Sequence, residues 1–535
     1  MAVSRRSALK LGVAAGAALS LPSVVRAQTG SIDPRTARMA MGNPLTAFDP
    51  IFSGTDTTVC HAVAIYDSLF ALDSKLTPQP QMVGRWSTSD DKKTYTFELR
   101  DGLAWHDGGP VRAQDCVASI RRWSSVDSGG RLIMELAADI SRKDDKTFKI
   151  VLKEPLSVLP DILASLSGYY LAIMREKDAD SSPTEQVTAN IGSGPFKFNQ
   201  EFARLGASFT YDRNAAYVPR NEASDGFAGA KIVNVDRVVW EQVSDPQTAL
   251  AALQAGEIDF VESPAADLYS LVESDPALEL QVLNPYGQDR CVRINHLQKP
   301  FDNVKARQAL LHLIDQEAVL RVTALDPKYG HTVTSIFGNS TPYSNDENTE
   351  WFKRGGDPEK AKQLFKEAGY AGEKVVILQD TGQPANRDAA QLLAEALRKI
   401  GVNAELAPSD WGGLTKRRMN RGPVESGGWS MFTTSDSEYS MSNPTSEVFM
   451  NASGDKAWYG WPKNEEYEAL RANWVNMETL EQRKELAGQM QKIWWDFVGD
   501  VRLGQELRPI ARRKALTGLI EMPVPIIAMW NMRKV

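Results

Sequence analysis

Two stretches of this chain place a serine three residues ahead of a lysine: Ser89-Asp90-Asp91-Lys92 and Ser453-Gly454-Asp455-Lys456. In a closed site such a lysine takes the serine proton and the freed oxygen attacks an acyl group. Both stretches are polar and turn-like, and no Lys-Thr-Gly partner occurs in the sequence, so they read as solvated loops. The sequence also holds no His-Glu-x-x-His pair, no Gly-x-Ser-x-Gly elbow and no Gly-x-x-x-x-Gly-Lys phosphate loop. Its five histidines (His61, His106, His296, His312, His331) lack the spacing of metal ligands. Neither an enzyme, nor a metal site, nor a cofactor is expected. Cys60, Cys116 and Cys291 allow at most one internal disulfide and read as small buried side chains.

The first 27 residues read as an address. Ser4-Arg5-Arg6-Ser7-Ala8-Leu9-Lys10 is a twin-arginine pattern, followed by an apolar run from Leu11 to Val25 and a small-residue cleavage site at Ala27. Removing it leaves 508 of the 535 residues, more than one hydrophobic core serves, so two or three lobes are expected. The full chain carries 61 basic and 68 acidic residues, and loss of Arg5, Arg6, Lys10 and Arg26 takes the balance from −7 to −11. An acidic chain without a basic run is a poor partner for nucleic acid or anionic lipid. No later segment has the apolar length of a membrane span, so the mature chain is expected not to insert.

The element pattern is α/β. Tyr95, Phe97 and Leu99 alternate with polar neighbours as in a half-buried strand, and turns at Asp101-Gly102 and Asp107-Gly108-Gly109-Pro110 lead to a helix from Ala113. Thr36 onward reads as a first strand, Val63 to Leu72 as an apolar helix, Thr147 to Leu152 as a strand and Leu156 to Leu166 as a helix. Asp245-Pro246 opens a helix that Gly256 stops, ahead of a strand at Ile258 to Val261. Phe301 to Leu320 reads as one long helix, and Asp357-Pro358 opens another that ends at Gly369. A strand at Val375 to Leu378 precedes a helix closed by Gly401. This alternation is the grammar of an α/β layer.

The block Thr94 to Trp123 resembles the "tFxLRxGvxFhdGxPvtAxDV" segment of family 5 extracellular solute-binding proteins, the dipeptide, oligopeptide, nickel and opine receptors of bacterial ABC importers. Leu45 to Pro50 is similar to that family's "LDP" element, Ile191 to Phe196 to "GTGPF", Ala251 to Asp259 to "AALqaGeiD", and the Phe301 to Leu320 run to "PFxdvrvRqAlxxaiDr". The resemblance implies an α/β, bilobal periplasmic binding protein of type II, cluster C, with an extra domain inserted in the first lobe. The boundaries that follow are a signal over 1–27, first lobe over 28–75, 191–286 and 509–535, insert over 76–190, and second lobe over 287–508. A hinge is expected near Leu283 to Arg290 and Glu506 to Pro509.

The resemblance also nominates a site. Asp410-Trp411 matches "eWxxyl" and Gly428-Trp429 matches "xGW", elements whose tryptophans line the ligand cavity in relatives. Trp411 and Trp429 are therefore expected as cavity walls, although a tryptophan without such context is core by default. In peptide-binding relatives an aspartate follows the second tryptophan and pairs with the ligand α-amine. Here Ser430 to Thr434 hold no acid, and a longer loop is expected before Asn443-Pro444-Thr445. Phe432, Thr433 and Asp436 of that loop are assigned to the ligand. Asp436 or Glu438 stands in for the missing acid, or the ligand lacks a free amine. Arg387 is a candidate carboxylate clamp with a surface ion pair as its rival, and Thr55 is a candidate from the first lobe.

The reading is a periplasmic receptor, exported by its twin-arginine signal. It takes a peptide or amino-acid-derived solute between two lobes and delivers it unchanged to ABC permease subunits, acting as a monomer. The rival readings are the same receptor class for an opine, a sugar or a chelated metal, and a periplasmic hydrolase.

Overall fold

The computed structural model describes residues 35–535 apart from Ser167, Leu205, Leu325 and Ser446, and the leader expected over residues 1–27 lies outside the described residues. Thr36–Ala40 is the central strand of a seven-stranded sheet, with Arg237–Glu241 and Phe260–Val261 parallel to it on either side. Helix Pro246–Ala255 links those two flanking strands, as the sequence suggests: Asp245 accepts from the Thr248 amide, Pro246 opens the first turn, and Gly256 closes the helix at φ +77°. A six-stranded sheet forms the second lobe, in which Val375–Asp380 runs parallel to Ala404–Ser409 and Met431–Ser437. A four-stranded antiparallel sheet, Val83–Thr88, Thr94–Leu99, Thr147–Leu152 and Ala137–Arg142, makes the insert. The architecture is a bilobal α/β fold with an inserted subdomain. Among the described residues no helix is long and apolar enough to cross a membrane.

Two strand pairs carry the chain between lobes. Leu278–Val282 belongs to the first sheet and Gln288–Ile294 to the second; Asp500–Glu506 belongs to the second and Pro509–Arg513 to the first. The crossings lie against each other. A Cβ on Gly287, which sits at φ +64°, would come 2.5 Å from the Glu506 carbonyl oxygen, so only glycine fits there. Beside it Arg290 forks onto Glu506 with two bonds of 2.8 Å, and its other nitrogen donates to Asn386.

Several elements differ from their sequence reading. The apolar run Val63 to Leu72 is not one helix. Asp56–Ile65 is helical and Phe70–Leu72 is a strand paired with Pro78–Pro80. Every residue from Thr57 to Leu72 is buried, which erases the periodicity that separates helix from strand. The Phe301 to Leu320 run is two helices, Val304–Leu313 and Gln316–Thr323, because Asp315 breaks the first and caps the second through the Ala318 amide at 3.0 Å. The residues Phe432 to Ser437, read as loop, are strand in register with Gln288–Ile294. Gly192 and Gly194 serve close approach: a Cβ on Gly192 would lie 1.8 Å from the Ile65 carbonyl oxygen. All three cysteines are free thiols and buried.

One hydrophobic cluster runs through the first lobe and the insert, and another fills the second lobe. The first lobe and insert are further tied by charge. Asp49 and Arg122 form a two-pronged ion pair at 2.7 and 3.1 Å, with side chains 0% and 2% exposed. Asp49 also accepts from the Ile51 and Val187 amides, and Arg122 donates to the Ser181 and Glu185 carbonyls, so every charge is answered. This pair fixes the loop that leads to Thr55 and Asp56. Arg122→Met strands a buried carboxylate and is expected to cost about 3–5 kcal/mol in urea unfolding; a cost below the noise of the measurement overturns this assignment.

Candidate functional site

In an open α/β sheet the loops beyond the carboxyl ends of parallel strands form the ligand crevice. In the first lobe, Thr36–Ala40 runs on to Thr55 and Asp56, and Phe260–Val261 runs on to Glu262. In the second, Ala404–Ser409 leads to Trp411, and Met431–Ser437 ends beside Asp436. Asp56 opens helix Asp56–Ile65, while Trp411 is the first residue of helix Trp411–Arg417, capped by Asp410 through the Gly413 amide at 2.7 Å. The two lobes thus aim their loops at one gap.

Charge gathers at the hinge end of that gap. Asp56 is open to solvent yet enclosed by protein, and its pKa rises from 3.8 to about 6. Desolvation is the main cause; Glu262 and Asp436 push in the same direction and Arg508 pulls against them. Glu262 is raised by desolvation, against the hydrogen bond it accepts from the Gly42 amide. Asp436 reaches about 6, again chiefly by desolvation, with the Ser437 amide and Ser440 opposing. Arg508, in the crossing itself, is open to solvent and has no carboxylate within ion-pair distance among the described residues. Asp56 thus feels carboxylates from both lobes against Arg508, while Asp436 has Arg502 as its opposing cation and Glu262 only the Gly42 amide. A site of this kind is short of positive charge.

An aromatic cluster lies beyond strand Ala404–Ser409 in the second lobe. Trp411 is 38% exposed. The Arg418 guanidinium lies 4.5 Å from the Tyr459 ring centroid, 4.9 Å from Trp458, 5.5 Å from Trp411 and 5.9 Å from Phe432. Its Nε is buried without a hydrogen-bond partner, and among the described residues no carboxylate pairs with it. Desolvation lowers its pKa, against the Tyr459 side chain that it bonds to. The charge is held in place by rings and has no carboxylate to answer it among the described residues.

The sequence-assigned residues divide. Trp411, Phe432 and Asp436 belong to these clusters, and Thr55 adjoins Asp56, with its hydroxyl 3.0 Å from that of Thr58. Arg387 is half-exposed and paired with its neighbour Asp388 at 2.7 Å. Thr433 is buried and donates to the Asn386 carbonyl at 3.0 Å, which fixes the strand against helix Pro384–Lys399. Trp429 is 0% exposed, packs on Phe432 and Trp461, and donates its ring N–H to the Arg418 carbonyl. It supports the cluster from beneath. Glu438 is buried too, its carboxylate accepting from the Asn339 and Ser340 amides, so of the two acids only Asp436 reaches the gap. Asp56, Glu262, Arg418 and Arg508 escaped the sequence reading, because each lies in a different segment and only the fold gathers them.

Comparison with known proteins shows the family of the chain. Residues 77–453 match the family model "Bacterial extracellular solute-binding proteins, family 5 Middle". The chain is 61% identical over its whole length, and that of the relative, to a "Probable peptide ABC transporter periplasmic-binding protein" of Sinorhizobium fredii. It is 26% identical to a glutathione-binding protein of Escherichia coli, over 91% of this chain and 92% of that one. A peptide-bound DppA from Helicobacter pylori superposes with a TM-score of 0.75 at 19% identity, covering 93% of this chain and 98% of that one.

Two predictions follow from the geometry. Trp429→Ala empties a core site and is expected to cost about 3–5 kcal/mol, whereas Trp411→Ala, at the exposed rim, leaves the unfolding midpoint nearly unchanged; equal losses in the two variants would contradict the placement. Because Asp56 and Asp436 titrate near 6 rather than 3.8, the folded state holds protons that the unfolded chain has released across that window. Stability therefore falls as pH rises from about 4 to about 6 and then levels off. The variant Asp56→Asn/Asp436→Asn is expected to melt higher than the parent at pH 7 and alike at pH 4, as read by thermal unfolding at both.

Proposed function

The chain belongs to the bacterial extracellular solute-binding proteins of family 5, receptors rather than enzymes, and from that premise we propose that its solute carries an amine and a carboxylate, as a short peptide or an amino-acid derivative does. As a member of that family it works in the periplasm with an ABC importer, capturing a small solute for delivery to the permease. The observation that supports the finer reading is the pairing of unlike charge in one gap: three crowded carboxylates at the hinge end and a guanidinium without one in the aromatic cluster. An ammonium placed among Asp56, Glu262 and Asp436 relieves their mutual repulsion. A carboxylate on Arg418 gains charge-assisted bonds that no protein carboxylate among the described residues supplies. The relatives named for peptides and glutathione point the same way.

Closure is then a matter of differential contact. Residues of the first lobe and of the second must meet around the solute, and only the shut state offers both. The pivot in this reading lies at Leu283 to Gly287 and Leu507 to Arg508, where the backbone leaves one sheet for the other. A twin-arginine leader cleaved near Ala27 accounts for export, and the mature receptor works as a monomer.

The test uses trialanine, its N-acetyl form and its C-terminal amide, titrated by calorimetry. Free trialanine is expected to bind more than about tenfold tighter than either blocked form, each of which forfeits a charge-assisted contact. Asp436→Asn weakens free trialanine and leaves the N-acetyl form unaffected; Arg418→Gln does the same for the amide. An ammonium favours the ionised carboxylates, so protons are released on binding near pH 6 and affinity falls as pH drops below it. Blocked and free peptides binding alike would refute the charge assignment.

A further inference from the structure

One face of the second sheet carries charge where a core is expected. Strand Gln288–Ile294 turns Asp289 and Arg293 to that face, and strand Asp500–Glu506 adds Asp500 and Arg502, all four 0% exposed. Asp436 stands opposite Asp289 on strand Met431–Ser437. Glu438 and Glu447 are buried over the same layer, Glu438 against Asp289 and Glu447 near Arg293 and Arg502. Five carboxylates thus meet two guanidiniums. Both guanidiniums spend donors elsewhere, Arg293 on the Tyr459 and Phe449 carbonyls and Arg502 on the Ile336 carbonyl and the Met441 sulfur.

Asp289 is the odd member. Neither of its oxygens accepts a hydrogen bond from a described group, and the nearest Arg502 nitrogen is 3.8 Å away. The group within bonding reach of it is another carboxylate, that of Glu438. Glu438 is an answered anion, with Oε1 accepting from the Asn339 amide at 2.7 Å and Oε2 from the Ser340 amide at 2.9 Å. Gly338, at φ +79°, lets that turn close, since a Cβ there would collide with the Glu438 carboxyl carbon. Two carboxylates in contact away from water cannot both be ionised. Burial and the Glu438 charge push Asp289 far above the usual carboxylate range. Burial raises Glu438 as well, but its hydrogen bonds with Asp289, Asn339 and Ser340 work against that and favour its ionised form.

This contact lies where the halves of the molecule meet. Glu438 opens the short helix Glu438–Met441, and its amide donates to the Gly287 carbonyl of the crossing at 3.3 Å. The next residue, Tyr439, accepts from the Leu166 amide of the insert at 3.2 Å. We propose that Asp289 keeps a proton in the folded receptor and donates it to Glu438, and that this acid–carboxylate bond holds Tyr439 against the other lobe. A proton is then a structural part of the contact between the halves. Without it two anions meet in a dry core, and the turn that carries Tyr439 is pushed away. The bond needs nothing from the solute, so it stands or falls apart from the amine and carboxylate reading.

Infrared spectra at pH 7 compare the parent with Asp289→Asn, which is neutral at every pH and whose amide still donates to Glu438. The parent is expected to show a protonated-carboxyl stretch that the variant lacks. Glu447, raised to about 8 chiefly by burial, leaves its own band in both. An acid whose pKa is raised on folding favours the folded state at low pH, and the advantage fades as pH rises. Thermal unfolding is therefore expected to find the two proteins alike at pH 4 and Asp289→Asn the more stable at pH 7; Asp56 and Asp436 contribute equally to both. Hydrogen exchange then follows the peptide that holds Leu166. Asp289→Leu, similar in shape but without a donor, is expected to exchange there about tenfold faster than the parent, as Tyr439→Phe does, while Asp289→Asn stays protected. Identical carboxyl absorption in parent and Asp289→Asn overturns the bound proton, and unchanged protection in Asp289→Leu overturns its hold on Tyr439. The infrared comparison uses only the parent and the asparagine variant, so it decides even where Asp289→Leu does not fold.

Discussion

The crossing of two strands at Gly287 and Glu506 constrains everything else in this molecule. The backbones touch so closely there that a single methyl has no room, and the Arg290–Glu506 pair beside them is buried and fully bonded. A buried pair of this kind adds little net stability but punishes any geometry that separates its partners. The crossing is thereby held as one unit. The pivot proposed above lies in the short segments where the chain leaves one sheet for the other.

The same place concentrates charge. Asp436 ends a strand of the second lobe, Asp56 opens a helix of the first, and Arg508 lies in the crossing between them. Asp56 is exposed and Asp436 half-buried, and both are surrounded by enough protein for desolvation to lift the carboxylate pKa. Crowded like charges are a cost in the empty receptor. In the function proposed above an ammonium guest converts that cost into affinity, which is the differential interaction that closure requires.

The two lobes are unequal partners. The first lobe and the insert share one hydrophobic cluster and the fully answered Asp49–Arg122 pair, so they behave as a single body. The second lobe has its own core and meets the first at few places, notably Tyr439 against Leu166 and Val475 against the insert. Those contacts surround a cavity of about 670 Å³ rather than fill it.

Much of the fold was legible in the residues. Asp245-Pro246 with Gly256, Asp357-Pro358, and the alternation Tyr95, Phe97, Leu99 declare their elements because capping and pleat are local effects that a few neighbours decide. Where burial is complete the local code goes silent, as in Thr57 to Leu72, and where a polar residue caps in mid-run, as at Asp315, a single helix becomes two. The family motifs carried the class of protein and nominated Trp411, whereas Asp436 was a candidate only because the motif's own acid is missing. They could not say that Trp429 and Thr433 turn inward, because motif and orientation are separate facts. Nor could they assemble Asp56, Glu262, Asp436 and Arg508 across some 450 positions of chain. Electrostatic contact depends on distance in space, and only the packing of two sheets around one crossing brings those four charges within reach.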